Sequence, residues 1–287
     1  MCELFAMSSL YPSTVKFSLD KFARHGGLTG PHKDGWGIAF YDGRDARLIK
    51  DEGSASSSPY LSFIRDQNFT SQLILSHIRR ATQGEITYSN TQPFQRELMG
   101  RIHTFAHNGD LKGFKELAED SFQHYHPLGD TDSELAFCYL AELLTEIWRS
   151  DFTPSLHQRM DLIANFAKTI SQYGPANFIY SDGEYLFTHG HIRKQLGKEG
   201  FHPPGLFTLK RSCQPGHSIE TIQGLEFADR NQQQEVVLVA SVPLTKENWK
   251  PLAEGELLVL MNGKIIDSGM DLANKKLTSP ANYRNSA

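Results

Sequence analysis

Three scarcities narrow the reading of this chain before any motif is considered. No stretch approaches the roughly 18 consecutive apolar residues that cross a bilayer, and no basic segment leads into an apolar one near the start, so neither membrane insertion nor secretion is expected. A cytoplasmic protein is the expectation. Positive charge is not in excess: 29 Lys and Arg against 33 Asp and Glu leave a formal net charge of -4, which offers no field for a phosphate backbone, and nucleic acid is not expected as a partner. Cysteine is sparse. Cys2, Cys138 and Cys213 are too few and too scattered for a disulfide framework or a zinc site. Cys138 lies in an apolar helical run and Cys213 in the loop-like Arg211-Ser-Cys-Gln-Pro-Gly216, so both have ordinary structural explanations. Cys2 has none. A Gly-rich phosphate loop is also missing, so no nucleotide cofactor is expected, and no metal either.

What is present reads as sheet, then helix, then sheet. Trp36-Gly-Ile-Ala-Phe-Tyr41 ends in the turn pair Asp42-Gly43 and is followed by Arg47 to Lys50, which predicts a hairpin. Residues 72–79 and 101–107 are short β-type runs, each followed by a polar segment of the kind that carries functional groups on a rigid frame. Residues 133–148 are rich in helix formers and apolar nearly all round, so a buried helix is predicted. Met160, Ile163, Phe166, Ala167 and Ile170 fall at helical spacing and predict a second. Strands return at 177–180 and 185–188 through Ser-Asp-Gly-Glu, at 236–240, and at 256–261 turning through Asn262-Gly263 into 264–266. Residues 190–234 read as loops around one or two short strands. The serine-rich 51–59 and the polar tail are expected to be mobile. This order favours a layered α+β domain over alternating βαβ units. With 39% apolar residues the chain can fill one large core, and we expect a single domain over 1–271 with a tail over 272–287.

Cys2 stands out on chemical grounds. Initiator methionine is normally trimmed before a small second residue, and trimming gives Cys2 a free α-amine beside its thiol. With ordinary pKa values of about 7.7–8.0 and about 8.5, a neutral amine accepts the thiol proton near neutral pH. Nucleophile and base then share one residue.

Four further segments lie in order behind it: Asp34-Gly35-Trp36-Gly37, His77-Ile78-Arg79-Arg80-Ala81-Thr82, His107-Asn108-Gly109 and Asp130-Thr131-Asp132-Ser133-Glu134. With Met1-Cys2-Glu3-Leu4, this set resembles the class II glutamine amidotransferases, which belong to the N-terminal nucleophile hydrolases. Among them the chain looks most like the stand-alone YafJ type, through Asn177-Phe178, Ser181-Asp182-Gly183 and Ser241-Val-Pro-Leu-Thr245. The resemblance implies a four-layer αββα sandwich with Cys2 presented at a sheet's edge, and makes 1–271 a type 2 glutamine amidotransferase domain.

It also implies roles. Cys2 would cleave the side-chain amide of glutamine through a γ-glutamyl thioester, with the Asn108 amide and the Gly109 N–H as its oxyanion hole. Arg79 would clamp the substrate carboxylate, supported by Thr82 and the Gln83 backbone, because a planar guanidinium matches a carboxylate through two bonds. Asp132 would hold the substrate ammonium. Arg80 stands where other branches often carry an aromatic residue, and no role follows for it.

Each residue has a plainer reading: a surface ion pair for Arg79, a helix start for Asp132, a turn for Asn108-Gly109. A Cys–His pairing with His77 or His107 is the competing enzyme reading, against which both histidines fall in β-type runs. His124-Tyr-His126 and His189-Gly-His191 have no accompanying metal motif. The partner expected is glutamine or a γ-glutamyl small molecule, with a separate ammonia-consuming synthase subunit as a further candidate. Hydrolysis of another γ-glutamyl amide and a non-catalytic binding relative are the alternatives.

Overall fold

The computed structural model describes residues 2–14, 22, 24–27, 30, 32–67, 69–82, 84–149, 152–195, 197–213, 226–227 and 233–268. Met1, Gln83, the boundary expected at 271 and the tail lie outside them. In chain order the elements are β1 (Glu3–Thr14), β2 (Trp36–Asp42), β3 (Asp45–Asp51), α1 (Pro59–Gln67), β4 (Ser71–Ile78), β5 (Phe94–Leu98) and β6 (Arg101–Gly109). Then come α2 (Phe114–Glu119), α3 (Asp132–Ile147), α4 (Leu156–Ser171), β7 (Ala176–Ser181), β8 (Leu186–Gly190), β9 (Phe207–Cys213) and β10 (Glu226–Phe227). The chain closes with β11 (Gln234–Ala240), β12 (Lys250–Pro251), β13 (Glu256–Met261) and β14 (Lys264–Ser268).

The strands form two antiparallel sheets. One runs β12-β9-β11-β1-β4-β2-β3 with β10 paired to β1, and the other runs β14-β13-β8-β7-β6-β5. Three apolar clusters separate four layers. Leu4, Ala6, Leu75, Ala106, Ile179, Val237 and Leu258 fill the space between the sheets. Phe105, Phe137, Leu140, Phe166 and Phe178 fill the space between the second sheet and α3 with α4. Phe5, Ile38, Leu61, Ile64 and Trp249 cover the outer face of the first sheet, under α1. Side chains alternate along a strand, so in β1 Leu4 and Ala6 enter one cluster while Phe5 and Met7 enter another, and β1 is apolar at successive positions.

Local chemistry explains the boundaries. Gly43 takes φ +61 in the β2–β3 turn, as the Asp-Gly pair demands, and Gly263 takes φ +72 between β13 and β14. Helix α3 starts behind Thr131, whose hydroxyl accepts from Glu134 N at 3.3 Å. Helix α4 starts in a capping box: Ser155 Oγ accepts from Gln158 N and Ser155 N donates to Gln158 Oε1. Within the serine-rich stretch, Ala55–Ser57 form a 3-10 turn, Ser54 Oγ donates to Gly26 O at 2.5 Å, and Ser58 Oγ donates to Asp51 Oδ2 at 3.0 Å. That stretch carries defined structure where mobility was expected, because its hydroxyls have local acceptors.

Candidate active site

Strand β1 is interior, not an edge strand: β11 flanks it on one side and β4 on the other. Cys2 therefore reaches the rim of the sheet through the end of a strand. That end is fixed on both sides, by the Glu3–Ile78 and Leu4–His77 register with β4 and by reciprocal bonds to Ser241. Leu4 N donates to Ser241 Oγ at 3.0 Å, and Ser241 N donates to Leu4 O at 3.0 Å. The Cys2 thiol is partly exposed and lies against the Arg80 backbone, accepting from Arg80 N at 3.4 Å and donating to Arg80 O at 3.6 Å. Burial pushes this thiol above its ordinary value, while the Arg80 backbone bond and the Arg79 charge pull it back and Asp132 raises it. Arg79 and Asp132 are thus both within electrostatic range of the sulfur.

Strand alternation brings Asn108 to the same space. Ala106 faces the opposite sheet, so Asn108, two residues on, does too, as does His77 across from Leu4. Asn108 is buried, and among the described residues neither its Nδ2 nor its Oδ1 has a hydrogen-bond partner. A buried amide with no partner costs about 1–3 kcal/mol, so this one demands an explanation. Gly109 follows in close quarters: a Cβ there would sit 1.7 Å from Pro175 O and 2.5 Å from His107 Nε2, so only glycine fits.

Arg79 is buried and braced, donating from Nη1 to Glu85 O at 2.8 Å and from Nη2 to Gly84 O at 3.3 Å. Burial pulls its guanidinium below the usual value, opposed by the charges of Cys2, Asp34 and Asp130. A surface ion pair, its plainer reading, does not describe a side chain 3% exposed. Asp132 opens α3 but does not cap it; Thr131 does. Its Oδ2 accepts from Leu111 N at 2.6 Å, just beyond Gly109, and its Oδ1 accepts from Ser133 Oγ at 3.3 Å. Cys2, Arg79, Asn108, Gly109 and Asp132 thus meet at one end of the inter-sheet space. Thr82 is exposed on the loop after β4, and its side chain makes no hydrogen bond among the described residues.

Two supports escaped the sequence. Asn90 ties the Arg79 loop to the start of α3: its Nδ2 donates to Glu85 O at 3.0 Å and to Asp130 Oδ1 at 2.5 Å, and its Oδ1 accepts from Asp130 N at 2.9 Å. Ser241 was visible only as part of a motif. Neither carries a local pattern, since Asn90 reaches Asp130 and Ser241 reaches Leu4, both far away in sequence.

The histidines are not partners of the thiol. His107 Nδ1 lies 2.9 Å from Ser133 Oγ and its Nε2 3.2 Å from Pro175 O, on the helix side of the sheet. His77 is wholly buried, both ring nitrogens lack partners among the described residues, and burial drives its pKa well below the ordinary value, with the positive charge of Arg79 adding to this. Among the described residues no group of three or more His, Cys, Asp or Glu is placed to hold a metal ion. No helix there is long and apolar enough to cross a membrane.

The family model of the class II glutamine amidotransferases matches residues 1–283. The chain belongs to that family. YafJ of Escherichia coli, provisionally named a glutamine amidotransferase, is 37% identical over 259 residues, covering 89% of this chain and 96% of YafJ. A crystal structure from Pseudomonas aeruginosa, titled a predicted glutamine amidotransferase, matches with a TM-score of 0.63 and 30% identity over 93% of this chain and 100% of that one. The glutamine phosphoribosylpyrophosphate amidotransferase of Bacillus subtilis matches 93% of this chain and 48% of its own with a TM-score of 0.55 at 19% identity, a likeness of fold. The αββα sandwich of this class II glutamine amidotransferase is thus that of the N-terminal nucleophile hydrolases.

Proposed function

We propose that the protein hydrolyses the side-chain amide of glutamine with Cys2 as an N-terminal nucleophile. The observation that carries this reading is the buried, unpartnered Asn108 amide facing the same space as the Cys2 thiol. In the reaction the Cys2 α-amine, free once Met1 is removed, takes the thiol proton, and the sulfur attacks the amide carbon. The carbonyl oxygen becomes anionic and accepts from Asn108 Nδ2 and Gly109 N. The proton passes to the leaving nitrogen, the C–N bond breaks, ammonia departs and a γ-glutamyl thioester remains. Water, deprotonated by the same amine, attacks the thioester and releases glutamate and the free thiol. Arg79 holds the substrate carboxylate and Asp132 its ammonium, with Thr82 at the rim.

A second reading, hydrolysis of a bulkier γ-glutamyl amide, is favoured by exposed apolar residues on the loops beside Arg79 and Asp130: Ile86 and Tyr88, each 54% exposed, and Leu128, 79% exposed. With glutamine as substrate, the ammonia passes to water or to a separate synthase subunit in the cytoplasm.

The test is intact mass before and after treatment with 6-diazo-5-oxo-norleucine, a glutamine-like electrophile. The expected result is a chain lacking Met1 that gains one adduct, with adduct and ammonia release both lost in Cys2→Ala. A chain that retains Met1 and stays unmodified overturns the reading. Ammonia release from glutamine, set beside amine release from a panel of γ-glutamyl amides, separates the two substrates.

A further inference from the structure

Asn177 is fully buried and opposes Asn108 in the β6–β7 register. Its side chain spends every polar atom on backbone: Nδ2 donates to Asn108 O at 3.1 Å and to Ile192 O at 2.8 Å, and Oδ1 accepts from His191 N at 2.8 Å. Two carbonyls on one side and an N–H on the other fix the amide in a single orientation. Space is made for it as well: a Cβ on Gly205 would lie 1.5 Å from Asn177 Oδ1. The next residue back, Ala176, opposes Gly109. Strand β8 ends its pairing with β7 at the Phe178–His189 pair, so the ladder offers Ala176 no partner on that side. Two imidazoles take over: His189 Nδ1 lies 2.7 Å from Ala176 O, and His191 Nδ1 accepts from Ala176 N at 3.3 Å. On the other flank, β5 stops pairing at Phe94–Phe105, and Gln92 Oε1 accepts from His107 N at 2.6 Å.

The last three residues of β6 therefore keep β7 as their ladder partner, while side chains stand in where β5 no longer flanks β6 and β8 no longer flanks β7. Asn177 is the one that grips Asn108 directly, and it grips the main chain, leaving the Asn108 amide without a partner.

We propose that Asn177 is a positioning residue for the oxyanion hole, setting the main chain from which the Asn108 amide and the Gly109 N–H project. The inference rests on the reading of Asn108 given under the proposed function. Donors of this kind act only when held to within about 0.5 Å of the developing charge, and a misplacement of about 1 Å can cost a hundredfold in rate. With every polar atom of its side chain spent on backbone, Asn177 acts through the main chain it holds, that of Asn108 included. That distinguishes it from a residue that merely stabilises the fold.

The experiment is a double-mutant cycle on the purified full chain, read as kcat and KM for L-glutamine and γ-glutamyl p-nitroanilide, with thermal unfolding of each variant. Asn177→Ala is expected to lower kcat about 10- to 100-fold with KM within about twofold. In the Asn108→Ala background the same substitution is expected to lower kcat by clearly less than it does alone, because one of the two donors it positions is already gone. Full additivity, or an unchanged kcat in folded Asn177→Ala, overturns the proposal. If Asn177→Ala does not fold, Asn177→Asp replaces it: the carboxylate keeps the acceptor for His191 N and loses the donor to Asn108 O, and the same non-additivity is required. An unchanged rate in Asn108→Ala alone sinks the oxyanion reading itself and takes this inference with it. That outcome is distinct from additivity, in which Asn108 matters and Asn177 does not act through it.

Discussion

The two ends of the space between the sheets hold similar residues and use them oppositely. At one end the Asn108 amide and both nitrogens of His77 are buried without partners among the described residues. At the other, the Tyr41 hydroxyl lies 2.8 Å from Thr104 Oγ1, 2.9 Å from Ser181 O and 3.1 Å from Ile102 O. Beside it Asp182 accepts from Arg159 Nη1 at 2.7 Å and from the backbone N–H groups of Glu184 and Tyr185 at 2.9 Å each. The contrast separates polar groups that stabilise the native state from polar groups kept for something else. Bonds completed within the chain lower its free energy, whereas an amide left bare raises it and is useful only toward a ligand.

Substitutions at the two ends should therefore fail differently. Asp182→Ala, which leaves the 3% exposed Arg159 without its buried partner, is expected to lower unfolding free energy by about 3–5 kcal/mol in denaturant titration, while kcat of the folded fraction stays within about twofold. Asn108→Ala is expected to do the reverse: kcat falls by about 10² to 10³, and unfolding free energy is unchanged or rises, since an unsatisfied amide is removed. If it destabilises as strongly as Asp182→Ala, the contrast between the ends is broken. Tyr41→Phe removes one hydroxyl from the bonded network and should cost about 1–3 kcal/mol with no change in kcat.

The smallest effect belongs to the rim of the active end. There Glu3 Oε2 lies 2.7 Å from His25 Nδ1. The bond from Glu3 raises the His25 pKa above 6.5, against its burial. Burial opposes the Glu3 carboxylate, but the bond and charge of His25, with the charges of His32 and Arg193, hold it below 4.5. The stability from His25 is complete below 6.5 and is lost as pH rises through its raised value. That from Glu3 is complete above 4.5 and is lost as pH falls through its lowered value. The pair should contribute most between those limits. A His25→Gln variant should lose Tm relative to the parent there and converge with it at higher pH; a pH-independent gap would remove the pair from the comparison.

The elements that sequence reading located best are those with local causes. Asp42-Gly43 and Asn262-Gly263 specify turns by backbone sterics, and the helical spacing of Met160 to Ile170 specifies α4 by its buried face. Short β5, the brief α1 and the central placement of β1 depend on partners elsewhere in the chain and left no such trace. At the site, Cys2, Arg79, Asn108, Gly109 and Asp132 were named through motifs shared with the family, each short enough to be read along the chain. What was not legible is the holding: Asn90, Asn177 and Ser241 bind main-chain atoms that only the folded register brings near.

The interior position of β1 also has a consequence in time. Its ladder with β11 joins Phe5 to Ala240 and Ser9 to Val236, so the strand that begins the chain pairs with one of the last to be made. At about 5–20 residues per second, synthesis leaves β1 without that neighbour for roughly 12–45 s. Throughout that interval the β11 side of β1 stands open, and the Ser241 bonds that fix Leu4 form only when it closes.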